Sequence, residues 1–136
     1  MKDKFTGSLD NETENLANSI IGAAIEVHKE LGPGLLESAY RQALSYELEL
    51  RNIPHQCEVI CPIIYKRKEI EQGFRIDILV EEKIILELKA VEKLISKHQA
   101  QLLTHMKFKK SKLGFLLNFN EVRLIDGLQR VVLSDY

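Results

Sequence analysis

The stretch Arg75–Lys89, RIDILVEEKIILELK, constrains this chain more than any other. Two runs rich in Ile, Leu and Val flank the polar triplet Glu81-Glu82-Lys83, the pattern of two strands joined by a tight turn. Side chains on a strand alternate between faces. Ile76, Ile78 and Val80 are therefore expected on one face, with Arg75, Asp77 and Leu79 on the other. The second run divides in the same way, Ile84, Leu86 and Leu88 against Ile85, Glu87 and Lys89. With the turn centred on Glu82, Val80 pairs with Ile84 and Asp77 falls opposite Glu87. One face is then apolar, and the other gathers two carboxylates and an ammonium.

Carboxylates facing one another across a strand pair repel unless a cation lies between them. Asp77 and Glu87 offer hard oxygen ligands to a divalent ion such as Mg2+, which keeps several of its waters and suits phosphate substrates. Lys89, on the same face, is placed to position or deprotonate an attacking water. A solvated sheet face on which Lys89 pairs with one acid accounts for the same three residues, because so short a motif also matches by chance.

The rest of the chain fits a mixed α and β domain. Capping side chains in SLDNETENL precede an apolar stripe through Leu16, Ile20, Ala24 and Val27, which predicts a helix ending near Leu31. Gly-Pro-Gly at 32–34 stops it, and a second helix is expected over 35–51. The runs CEVICPIIYKRKEI, GFRIDILV and KIILELKA predict an antiparallel meander. A helix through Ile95, Leu102, Leu103 and Met106 then leads to the apolar run LGFLLNF. Strand, helix, strand implies a parallel crossover, and the tail predicts a last hairpin around Asp126-Gly127. The fold class is thus α/β or α+β, a mixed sheet with an antiparallel meander and one parallel crossover, flanked by helices.

At 136 residues the chain is sized for a single domain spanning 1–136, with the polar residues 1–12 as a loose N-terminal arm. A formal net charge of −1 rules out a global basic field, so a polyanion would have to be held by a local patch or by metal ions. Lysine-rich clusters at 66–68 and 107–112 are such patches, though solvated surface is the commoner meaning of a charge run. Phe108 sits in the second, but one aromatic makes no stacking platform. Cys57 and Cys61 are too few for a disulfide scaffold and lie along one strand, which suggests a reducing, cytoplasmic setting. His55 shares their parity, yet no second pair of zinc ligands follows at short spacing. The lysines near the start lead into no apolar segment, so no secretory signal is expected, and no apolar run suits a membrane span.

GLLESAY at 34–40 matches G-x-x-E-x-x-Y, and with AAIEVHKELGPGLLESAY, FRIDILV, IILELKA, HQAQLLTH and GFLLNF the chain resembles the GxxExxY protein family, assigned to the PD-(D/E)XK nuclease superfamily. The resemblance implies a restriction-endonuclease-like core. It also implies Asp77 and Glu87 as metal ligands, Lys89 as the catalytic lysine, and Glu37 as an acid supplied by an upstream helix. Helical spacing allows this, since Glu37, Tyr40 and Leu44 share one face. As a first-turn residue, Glu37 would equally suit the helix N-terminus. Gln101 matches the glutamine that follows the catalytic strand in RecB-like nucleases, and is otherwise a polar residue on a half-exposed helix. Two positions depart from the pattern. Ile76 replaces the proline of the superfamily name, and His105 stands where a tyrosine is expected. His28 fits the VHKELGPG segment, at a helix end where it also suits capping or packing.

The reading is a metal-dependent nuclease using Mg2+ or Mn2+, held by Asp77, Glu87, the Leu88 carbonyl and Glu37, with Lys89 and Gln101 in the catalytic set. Nucleic acid is the expected partner, and a homodimer is the expected assembly because cutting two strands calls for two sites. The alternative is a catalytically inactive module that keeps the nuclease fold and binds nucleic acid or protein.

Overall fold

Asp10 caps the first helix, α1 (Asn11–Leu31): its carboxylate accepts the Thr13 N–H at 2.8 Å. Glu14 reaches back to accept the Leu9 N–H at 2.8 Å, closing the entry turn. The computed structural model describes residues 9–133. Residues 9–12 are therefore cap and first turn rather than part of an arm, and the remainder of the expected arm lies outside the described residues. The Gly32 N–H closes on the His28 carbonyl at 2.8 Å, ending α1. After the Gly-Pro-Gly loop, α2 (Glu37–Leu50) begins directly at Glu37.

The sheet follows as β1 (His55–Tyr65), β2 (Lys68–Val80) and β3 (Ile84–Lys89). Then α3 (Ser96–Lys109) crosses over to β4 (Leu113–Asn118), and a single 3-10 turn (Leu124–Gly127) leads to β5 (Leu128–Val132). Spatial order equals chain order. Three strand pairs are antiparallel and β3–β4 is parallel, so the fold is the mixed, helix-flanked α+β arrangement expected. Val80 pairs with Ile84, as a turn centred on Glu82 requires.

The sheet separates two cores. Ile20 and Ala24 of α1 and Tyr40, Leu44 and Leu48 of α2 pack on Ile78, Val80, Leu86 and Phe115. On the other face Leu102 and Met106 of α3 pack on Ile76, Leu79, Ile85 and Leu116. Burying such side chains contributes about 1.5–3 kcal/mol each, so the two layers fix which sheet end each helix terminus reaches. Gly114 lets α3 approach β4: a Cβ there would lie 2.9 Å from both Leu102 Cδ1 and Met106 Sδ.

Three details differ from the sequence expectation. Ile76 packs on the α3 side with Leu79, whereas Ile78 and Val80 face α1 and α2, so strict alternation fails at Asp77. The cause is local. Asp77 Oδ2 accepts the Leu88 N–H at 2.9 Å in place of a backbone carbonyl, the paired β2–β3 positions stop at Ile78–Leu86, and Glu58 of the neighbouring strand adopts φ +51°. Next, CEVICPIIYKRKEI is not one strand. It turns at Lys66-Arg67, both left-handed (φ +48° and +75°), in the sense that hairpin turns prefer but without their usual Asn-Gly. Finally, the tail hairpin is formed by β4 with β5, and Asp126-Gly127 lie in the 3-10 turn between them.

Candidate active site

Each signature residue has a traceable structural cause. Gly34 adopts φ +104°, a region open to glycine but strained for other residues, and this aims the chain into α2. The Tyr40 hydroxyl donates to the Gly32 carbonyl and accepts the Leu35 N–H at 3.1 Å, so the buried tyrosine braces the loop that precedes Glu37. Its ring stacks on Phe119, with centroids 4.7 Å apart. Gly34, Glu37 and Tyr40 thus form one device: a turn, a presented acid and a brace.

Glu37, Asp77, Glu87, Lys89 and Gln101 line one open pocket of about 360 Å3, together with Gly73, Phe74, Arg75 and His105. The pocket opens where β2 and β3 cease to pair, so α2 on one face and α3 on the other both contribute side chains. Leu88 does not line it. Its side chain belongs to the α1–α2 core, and its N–H is taken by Asp77.

Asp77 and Glu87 are buried and differ in their partners. Asp77 is 8% exposed, and Arg75 approaches its Oδ1 at 3.6 Å. Arg75 also pairs with Glu58 at 3.2 Å, and Glu58 with Arg41 at 3.6 Å, so a row of alternating charges crosses the hairpin root. Glu87, 3% exposed, is bonded to the His105 ring. Lys89 donates to Gln101 at 3.1 Å, which sets its ammonium against α3. The Glu37 side chain makes no hydrogen bond or ion pair among the described residues. Burial first, then the negative charge of Asp77, pushes its carboxyl above the ordinary glutamate range, while Lys89 and Arg75 pull it back.

Among the described residues no group of three or more His, Cys, Asp or Glu side chains is arranged to hold a metal ion. The donors nevertheless fit a hard divalent ion. Glu37 is a half-buried carboxylate in no ion-pair contact among the described residues, Asp77 and Glu87 share its pocket, and an ion that keeps most of its water needs only one or two carboxylates.

Sequence reasoning missed several residues here. Asn118, fully buried, accepts the Val91 N–H at 3.1 Å and donates to the Val91 carbonyl at 2.9 Å, while the Phe119 N–H holds the Lys89 carbonyl. It fixes the chain as it leaves Lys89. A lone asparagine in an apolar strand was the available signal, since a buried amide needs partners. Phe74 stacks on His105 at 4.7 Å, which no local pattern indicates. His28 stands apart from the pocket, its Nε2 2.8 Å from the Glu121 carbonyl, tying α1 to the loop after β4.

A family model of the PD-(D/E)XK nuclease superfamily matches residues 14–131. The chain belongs to that superfamily. The match runs from the first turn of α1 through most of β5 and agrees with the mixed sheet described above. No curated protein and no solved structure matches the chain. Superfamily membership suggests nuclease-like chemistry on nucleic acid. Among the described residues no helix is long and apolar enough to cross a membrane.

Proposed function

We propose that this superfamily member is a nuclease of the GxxExxY group that hydrolyses phosphodiester bonds of nucleic acid with the help of Mg2+ or Mn2+. The observation that carries the reading is the meeting of Glu37, Asp77, Glu87 and Lys89 at one pocket, from three separate elements. A divalent ion bound there supplies an activated water and neutralises phosphate charge. Asp77, Glu87 and Glu37 are the residues that would hold it, and Leu88, which does not line the pocket, leaves that set.

The chain's own groups do the rest. Asp77 and Glu87 are fixed by Leu88 N–H and His105, so little reorganisation is needed at the reacting centre. Lys89 orients the attacking water and balances charge that develops on the phosphate. Gln101 holds the Lys89 ammonium, and Arg75, which lines the same pocket, adds a second cation. A cytoplasmic setting and a homodimer carrying two such pockets complete the reading.

The test compares Lys89→Ala with Asp77→Asn by calorimetric Mn2+ titration and by cleavage of single- and double-stranded DNA and RNA. Lys89→Ala should bind Mn2+ normally and lose about a hundredfold or more in rate. Asp77→Asn should lose metal affinity. An active wild type matched by an equally active Lys89→Ala variant removes the role of Lys89. A wild type that neither binds Mn2+ nor cleaves any of these substrates leaves the inactive binding module instead.

A further inference from the structure

Phe108 is 49% exposed, at the end of α3 nearest the lysine-rich segment. It does not stand alone. Phe74, at the root of the β1–β2 hairpin, lies 6.2 Å from the Phe108 ring and stacks on His105, with centroids at 4.7 Å and planes within 21°. Gln101, His105 and Phe108 follow at i, i+4 and i+7, so they form one stripe of α3. That stripe begins at the partner of Lys89, passes the partner of Glu87, and ends at the exposed ring. A continuous wall of three rings therefore leads out of the pocket.

Its charge suits an anionic strand. Lys107 and Lys110, both exposed, flank Phe108, while the chain as a whole is near neutral. An aromatic face can meet a base only when that base is out of its duplex stack, because paired bases present edges and backbone outward. We propose that the Phe74–His105–Phe108 wall stacks an unpaired nucleobase beside the phosphate held in the pocket. The favoured substrate is then single-stranded nucleic acid, or an unpaired stretch within a duplex. This inference rests on the nuclease reading above.

The protein contains no tryptophan, so Phe108→Trp places a single reporter on the wall. In the Lys89→Ala background, which limits cleavage, labelled single-stranded DNA and RNA and a duplex of the same sequence are titrated by anisotropy. Single strands should bind at least about tenfold more tightly than duplex. Phe108→Ala should weaken single-strand binding by about 5- to 150-fold, the range of one base–aromatic stack, with the salt dependence unchanged. The Phe108→Trp emission should be quenched by single strand and not by duplex. Equal binding of both forms, unaltered affinity in Phe108→Ala, or an unquenched tryptophan in a chain whose wild type cleaves nucleic acid would overturn the wall and leave the nuclease reading standing. A wild type that neither binds Mn2+ nor cleaves removes both.

Discussion

Asp77 combines a ligand's chemistry with a structural bond, and the two can be separated by substitution. Considered only as half of a repelling pair, its removal should relieve strain between acids. Its bond to the buried Leu88 N–H reverses that expectation, because Asp77→Ala orphans a donor at the point where β2 and β3 part. Asp77→Ala should cost about 1–3 kcal/mol in urea unfolding, whereas Asp77→Asn, which keeps an acceptor, should cost much less while still weakening Mn2+ binding. Equal stability of the two variants would show that the bond contributes nothing. Tyr40 offers a second residue-scale test. Tyr40→Phe keeps the stack on Phe119 but removes both hydroxyl bonds to the Gly-Pro-Gly loop. It should destabilise by about 1–2 kcal/mol and reduce Mn2+ affinity through Glu37, measured by calorimetry on a variant that shares no ligand with the ion. At this scale Asp77, Glu87 and Lys89 were legible because strand parity makes three charges in two apolar runs conspicuous. Phe74 and His105 were not, because their meeting depends on how α3 lies across the hairpin root.

Elements locate the pocket, and α1 is held at its far end by charge. Arg130 of β5 bonds both Glu14 carboxylate oxygens, at 3.0 and 2.7 Å, joining the first turn of α1 to the last strand. That bond first, and the Leu9 N–H second, hold the Glu14 carboxyl below the ordinary glutamate value of 4.5. A carboxyl with a lower pKa in the folded state adds stability above its unfolded pKa and loses it as pH falls through the folded value. Glu14→Gln should therefore cost on the order of 1 kcal/mol at pH 7, and the gap from wild type should close as pH falls below about 4.5. Chemical denaturation at pH 7, 4.5 and 3.5 checks this, and a gap that stays constant would assign the loss to packing. Helices were legible to within a few residues because apolar spacing and Gly-Pro-Gly mark them twice over. The hairpin at Lys66-Arg67 was not, since its left-handed turn contains neither glycine nor asparagine. The tail failed similarly: an Asp-Gly pair suggests a hairpin tip, but Gly127 packs against the end of β4, where a Cβ would come within 2.7 Å of the Asn118 carbonyl.

Across the whole molecule, the order of strands and helices was legible because a meander followed by a helix and a strand leaves few ways to cover both faces of a sheet. The length of the first hairpin was not, since alternation cannot distinguish a strand inside a sheet from one that runs past it. Among the described residues β2 pairs with β3 only over Ile78–Val80, so its outer half has β1 as its one strand partner there, and none of residues 62–73 enters either core. Pro62, unable to donate to the ladder, sits at the register shift where the projecting segment starts. Ile64 and Tyr65 are exposed along it, so it adds little burial to the fold. A segment with few buried apolar contacts opens at lower free energy than the global unfolding of the chain. Backbone amides of residues 63–72 should therefore exchange with solvent well before those of β3 and β4, as hydrogen exchange followed by mass spectrometry would report. Replacing Ile63–Gln72 with an Asn-Gly turn should leave the urea unfolding free energy within about 1 kcal/mol of wild type, because both cores remain intact and the new turn favours the same hairpin twist. A loss of several kcal/mol, or amides of residues 63–72 as protected as those of β4, would mean that this hairpin segment folds as part of the core.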